Sequence, residues 1–323
     1  MEACIIKRHP IRAAKAIPSW PSYSSVSQLV GSTADGRVTV YVDPSLGAAG
    51  LKNAQGLLAD APRIVTANDA LFGTTGGPVN VIVFALGGMT DGTGGADHMS
   101  CDYVSGQNIE VDASFGSSMR VSALFEAELS ECSMGGNLCG ESTGESLSRW
   151  CAMAVSANAL SDFATGPTWA ADGMPNFVDS VDPTDRNFDA TGCGMVFLSW
   201  LMSKAFGYSL TQVTQAMVSD GDAGTLASLY SKLTGNPAAN AWPNFRAAVK
   251  GLAGGVQSDD PFNALVTPAP APNPPPAPAP APGPSTSATE LASMILSAIG
   301  AALVAGDTEA QLKADIQSIL DAN

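Results

Sequence analysis

The chain has 323 residues, 30 acidic against 15 basic, and a formal net charge of -15. Such a charge repels nucleic acid and anionic lipid, so neither is expected as a partner. Apolar residues make up 45% of the chain, too many for disorder throughout, and the two histidines, His9 and His98, exclude a site built from several core histidines.

Residues 1–36 are expected to form an N-terminal tail carrying Lys7, Arg8, Arg12 and Lys15. The apolar run Ala3-Cys4-Ile5-Ile6 is too short for a secretory signal and precedes the basic residues. No uninterrupted run approaches the ~18 apolar residues of a membrane span. These features give a cytoplasmic location by default, with a surface or virion-associated location as the alternative.

Residues 37–256 are expected to form the main domain. Arg37–Val42 alternates as a strand, Asn53–Ala61 and Arg63–Phe72 have helical patterning, and Val79–Leu86 is a continuous apolar run fitting a buried strand. A glycine-rich loop, Gly87–Gly95, leads into His98–Tyr103 and Gln107–Asp112, which are expected to form a hairpin or sheet edge around Ser105-Gly106. Helices are expected over Ser117–Ser133, Gly144–Leu160, Gly192–Phe206, Leu210–Val218, Thr225–Leu233 and Trp242–Leu252. Strands mixed with helices, followed by helices alone, give an α+β class: a small mixed sheet and a helical second half.

Residues 257–285 change composition. Thr267–Pro284 holds ten prolines in an Ala-Pro run and is expected to be an extended, semi-rigid spacer of about 55 Å. Residues 286–323 carry apolar positions at helical spacing, Leu291, Ile295, Ile299 and Leu303, then Leu312, Ile316 and Leu320. Two short amphipathic helices bury too little surface to build a full core alone, so this small helical module is expected to self-associate, to dock on a protein or peptide partner, or to form a marginal helical hairpin.

The six cysteines, Cys4, Cys101, Cys132, Cys139, Cys151 and Cys193, form no C-x-x-C pair. Buried reduced thiols are expected, with Cys132–Cys139 as the candidate bridge in an oxidising setting.

The chemistry concentrates where the acid does. Nine carboxylates fall between Asp97 and Glu145, with Arg120 the single basic residue among them. Helical spacing places Val121, Leu124 (or Phe125), Glu128, Glu131 and Cys132 along one side of the helix Ser117–Ser133, with Glu128 and Glu131 facing inward or at its margin. Where such like charges are partly buried, at least one pKa is expected to rise or a cation to bridge them.

Ala127-Glu128-Leu129-Ser130-Glu131 resembles the H-E-L-S-H helix of zinc peptidases with both histidines replaced, and Gly144-Glu-Ser-Leu-Ser-Arg149 resembles the glutamate-bearing second helix of gluzincins. Asp182–Leu201 is similar to the aromatic-rich helix of basic-secretory-protein-like peptidases of that clan. The resemblance, over roughly residues 37–220, implies a zincin-like fold, Glu128 as general base and Glu145 as a metal ligand. Ala127 and Glu131 then occupy the two histidine positions, so classical His-ligated zinc is not expected. Glu131 and Glu145 would form an oxygen set suited to Ca²⁺, Mg²⁺ or Mn²⁺, or to no metal. A second register, Glu126-Ala127-x-x-Ser130, would remove the base.

His98 is the one histidine placed to act as a core proton carrier near neutral pH. No G-x-S-x-G elbow is present, and Gly87–Gly95 lacks the Lys-Ser/Thr of a P-loop. Asp182–Asp189 lacks EF-hand spacing and is expected to be a capped turn leading into a helix. Two functions remain open: a hydrolase-like, peptidase-like protein using a carboxylate cluster of Glu128, Glu131, Glu145 and His98, or a catalytically inactive relative, a pseudoenzyme serving as a binding or structural module.

Overall fold

The computed structural model describes residues 18–134, 138–220 and 224–265. The basic tail up to residue 17, the Ala-Pro run and the C-terminal helical module expected from the sequence lie outside the described residues.

Five strands form one mixed sheet. They are β1 (Gln28–Ser32), β2 (Val38–Val42), β3 (Val79–Phe84), β4 (Ala96–His98) and β5 (Gln107–Asp112), in the order β1-β2-β3-β5-β4. The inner strands β2, β3 and β5 run parallel, while β1 and β4 lie antiparallel at the two edges. The parallel strands are buried on both faces; β3 is the near-continuous apolar run Val79-Asn-Val-Ile-Val-Phe84, whereas β5 also buries Gln107, Glu110 and Asp112. The expected hairpin is present, since β4 pairs antiparallel with β5, but residues 107–112 are not themselves the sheet edge. That edge is β4, whose three residues are too few for alternation to show in sequence, and the connection after it spans residues 99–106 rather than a tight turn at Ser105-Gly106.

Among the described residues eight α-helices accompany the sheet: α1 (Gly47–Phe72), α2 (Ser118–Ser133), α3 (Ser142–Val155), α4 (Gly166–Ala171), α5 (Phe188–Met202), α6 (Leu210–Asp220), α7 (Leu226–Thr234) and α8 (Ala241–Lys250). The α+β class with a helical second half is thus observed. Where two helices are expected before residue 73, one 26-residue helix continues through Pro62. The proline forfeits one backbone bond, but Leu57, Ala61, Ile64 and Val65 are all buried and hold the turns on either side against the sheet.

The domain also starts earlier and ends later than 37–256. Strand β1 pairs with β2, and Trp20 and Tyr23 cover the far face of the sheet against Tyr41, Ile82 and Phe84. There the buried Glu110 accepts from Ser22 N and Oγ (2.9 and 2.7 Å) and from Tyr23 N (2.5 Å). At the other end Asp259 accepts from Thr165 N and Gly166 N at 2.9 and 2.6 Å, holding the start of α4.

The near face of the sheet packs on α1 and α2 through Val38, Val81, Ile109, Val121, Phe125 and Leu129. A second core gathers α3 to α8 around α5, which is apolar on all sides and almost wholly buried. Trp150 of α3 donates from Nε1 to Met195 O of α5 at 2.9 Å, locking the two helices. The cleft described next lies among β4, α2 and α3.

Candidate functional site

Helix α2 begins where Ser117 Oγ accepts from Arg120 N at 3.2 Å. The segment before it is pinned by Asn53 of α1, whose side-chain amide donates to Ala113 O and Ser114 O at 2.7 and 2.6 Å. So anchored, α2 divides its side chains among three directions. Val121, Phe125, Leu129 and Cys132 enter the core beneath the sheet. Leu124, Ala127, Glu128 and Glu131, at i, i+3, i+4 and i+7, line a cavity of about 360 Å³. Glu126 is fully buried elsewhere, with neither carboxyl oxygen hydrogen-bonded.

Helix α3 adds Glu145, Arg149 and Met153 to the cavity wall, and edge strand β4 adds Asp97 and His98. Phe163 and Leu160 form an apolar flank, and Asp185 approaches from the turn before α5. That turn is closed by Asp182, which accepts from Thr184 N and Asn187 Nδ2, and Asn187 in turn caps α5. This is the capped turn expected for Asp182–Asp189.

All four residues singled out from the sequence, Glu128, Glu131, Glu145 and His98, therefore face one cavity. His98 Nε2 lies 3.7 Å from Glu131 Oε2 and 3.9 Å from Glu128 Oε2. Its Nδ1 lies 3.1 Å from Ser100 O. A carbonyl only accepts, so Nδ1 carries the proton and Nε2 presents its lone pair to the carboxylates when the ring is neutral. Asp97 Oδ1 accepts from the His98 backbone N at 2.8 Å, so it fixes the strand rather than the ring.

Two of the three carboxylates, Glu131 and Glu145, have a close hydrogen-bond partner. Glu131 Oε1 accepts from Gly140 N at 2.6 Å. Glu145 Oε1 accepts from Arg149 Nε at 2.5 Å, and Arg149 also donates to Phe163 O at 2.9 Å. Glu128 has the longer ion-pair contact, to His98 Nε2 at 3.9 Å. Burial, and then the charges of Glu131, Glu145, Asp97 and Asp185, push its pKa well above the ordinary carboxylate value. Burial also raises Glu145, partly opposed by Arg149. For His98, burial favours the neutral ring, but the hydrogen bond and charge of Glu131, with the charge of Asp97, leave its pKa raised overall.

The cysteines pair differently from the sequence expectation. Cys101, after β4, is bridged to Cys139, in the segment between α2 and α3. Cys132 cannot take that role because it is packed in the core beneath the sheet, and Cys132, Cys151 and Cys193 are buried free thiols. Burial raises all three thiol pKa values, that of Cys193 to about 12. Both bridged residues line the cavity.

Sequence reasoning did not select Arg149, Cys139 or Phe163. Arg149 had a readable signal, its i, i+4 spacing from Glu145. Cys139 and Phe163 reach the cavity only through tertiary packing.

The zinc set of a gluzincin does not fit these residues: Ala127 offers no donor, and Glu131 replaces the other histidine. Among the described residues no helix is long and apolar enough to cross a membrane. No family model, curated protein or solved structure matches this chain.

Proposed function

We propose that this chain is a hydrolase-like, peptidase-like protein whose reaction centre is the cleft between β4, α2 and α3. The observation that carries this reading is the convergence of Glu128, Glu131, Glu145 and His98, from three separate elements, on one cavity with an apolar flank. A cavity of about 360 Å³ is of the size that holds a small ligand or a short stretch of peptide.

Glu128 is the general base. Burial and the neighbouring carboxylates raise its pKa, which makes it a stronger base than an ordinary carboxylate. It would take a proton from water directed at an amide or ester carbonyl. Protonated His98, 3.9 Å from Glu128, would supply the leaving group with a proton. Leu124, Met153, Leu160 and Phe163 would seat an apolar substrate side chain. Glu131 and Glu145 are the residues that would hold a hard divalent cation, Ca²⁺, Mg²⁺ or Mn²⁺, which when bound polarises a substrate carbonyl. The succession of buried strand β3, edge strand β4, inner strand β5, α2 with Ala127–Glu131 and α3 with Glu145 is what a distant zincin-like relationship rests on.

A second reading, an inactive relative used as a binding module, is favoured by two observations. Ala127 lies in the cavity wall where the resembled family has a metal ligand, and Arg149 already neutralises Glu145. The two readings separate in one experiment. The purified chain is incubated with a peptide and ester library, with and without Ca²⁺, Mg²⁺ or Mn²⁺, beside Glu128→Gln, and products are read by mass spectrometry. The enzyme reading expects turnover that falls by about 10²-fold or more in the variant, the scale of a lost general base. No turnover in any condition, with Glu128→Gln melting higher than the wild type, gives the binding module.

A further inference from the structure

The bridge Cys101–Cys139 sits against His98. Cys139 Sγ lies 3.5 Å from His98 Nε2, and Glu131 Oε2 lies 3.7 Å from the same nitrogen. One donor atom each from His98, Glu131 and Cys139 falls within 4.8 Å of the other two. In a tetrahedral zinc site with ordinary Zn–N, Zn–O and Zn–S lengths, neighbouring donors stand about 3.4–3.6 Å apart. Two of the three edges at this cluster already approach that spacing. The third, between Glu131 and Cys139, is within 4.8 Å and would have to shorten by rotation of the Cys139 side chain after release of its sulfur.

The surroundings are those of a ligand set as well. Ser100 O holds His98 Nδ1, leaving Nε2 for a metal, and Gly140 N holds one oxygen of Glu131, leaving the other. Ligating histidines and carboxylates are commonly oriented by such outer contacts. What the oxidised chain lacks is the thiolate, since both lone sulfurs are tied in the bridge.

We propose that the Cys101–Cys139 disulfide masks a zinc-class metal site, and that its reduction frees Cys139 to bind the ion together with His98 Nε2 and Glu131. The step balances. A dithiol reductant gives two electrons and two protons, the Cys101–Cys139 S–S bond breaks, two thiols form, and the reductant leaves as a disulfide. Metal binding then displaces the Cys139 thiol proton to solvent. Both cysteines line the cavity, so a reductant reaches them without unfolding the core. The N, O and S donors suit Zn²⁺ or Co²⁺ rather than Ca²⁺ or Mg²⁺, and the fourth position stays open toward the cavity. Reduction would thus exchange an oxygen-rich cleft for a softer metal centre in the same place. This inference stands on donor geometry and does not require the hydrolase reading.

The test uses Co²⁺, whose thiolate charge-transfer and tetrahedral absorption bands report sulfur ligation directly. The full chain is titrated with Co²⁺ before and after treatment with a water-soluble phosphine. The phosphine takes the oxygen of water as the bridge is reduced to two thiols, and contributes no thiolate of its own. Reduced wild type is expected to bind one Co²⁺ with a thiolate band. Cys101→Ser is expected to do so without reductant, and oxidised wild type and Cys139→Ser to show no such band. Glu131→Gln and His98→Gln should each weaken binding by more than about tenfold, the least expected for loss of an outer contact. A reduced wild type lacking the band overturns the proposal, as does a band that persists in Cys139→Ser. Loss of the circular dichroism spectrum on both reduction and Cys101→Ser substitution overturns it too, because a masked site must survive unmasking. Peptide hydrolysis plays no part in these readouts, so failure of the enzymatic reading leaves them standing.

Discussion

His98 Nε2 and Glu131 Oε2 face each other at 3.7 Å across the gap between edge strand β4 and helix α2. Burial disfavours the charged ring, yet the hydrogen bond and charge of Glu131 outweigh it and raise the His98 pKa. Proton binding by His98 therefore favours the folded state. That contribution is complete below the unfolded value of about 6.5 and is lost as pH rises through the higher folded value. His98→Gln should cost stability at acidic pH, and the gap to wild type should close on the alkaline side. With His9 the only other histidine, NMR titration of the ring is direct: the His98 pKa should lie above 6.5 and fall in Glu131→Gln. A His98 value that does not move on that substitution would refute the pairing.

Glu126 tests a second titration, away from the cleft. It is fully buried, and burial raises its pKa well above the ordinary value, with Arg63 only partly opposing. The folded state thus prefers the protonated carboxyl. That preference is fully present below about pH 4.3 and is lost as pH rises through the folded value. Glu126→Gln removes the dependence, so Tm of the variant minus Tm of wild type should increase from about pH 4 to pH 8. A flat difference across that range would contradict a buried, hydrogen-bond-free carboxylate.

Arg149 holds Glu145 and Phe163 O together at the cavity wall. Arg149→Met leaves a largely buried carboxylate without its counter-charge, and should lower unfolding stability by about 1–3 kcal/mol. Arg149→Met combined with Glu145→Leu should recover part of that loss, since replacing both partners spares the unpaired charge. Chemical denaturation of the three variants decides it, and a double variant weaker than Arg149→Met would show that the pair is not what the arginine supports.

Gly144 brings α3 against the segment that carries Cys139. A Cβ at this position would stand 1.9 Å from Leu138 O, a backbone atom that cannot turn aside. Gly144→Ala should therefore shift that segment and cost about 1–3 kcal/mol. Urea denaturation measures the cost, and wild-type stability in the variant would mean that the two segments lie farther apart.

The bridge itself closes a long loop, with Cys101 and Cys139 separated by 38 residues. Its removal should lower stability by about 2–4 kcal/mol through the freedom regained by the unfolded chain. Cys101→Ser and Cys139→Ser should lose similar amounts, and the double variant little more than either. Additive losses in the double variant would show that the two residues are not bonded to each other.

The sequence by itself determined what is local. The acid-rich segment, the face of α2 carrying Leu124, Glu128 and Glu131, the glutamate on α3 and the apolar strand β3 follow from spacings of a few residues, which fix neighbours along a helix or strand. It also determined that this cleft lacks the two histidines of a gluzincin. The tertiary structure decided what crosses between elements. Strand β4 is three residues long and has no periodicity to read, so only sheet packing could bring His98 to Glu131. The pairing of Cys101 with Cys139, rather than of Cys132 with Cys139, depends on which face of α2 enters the core. Glu126 and Glu128 are two residues apart, and on a helix that places them roughly 200° around the axis from each other. Which of the two would meet the cavity, and which would be buried without a partner, was settled by the helices and strands that pack on either side.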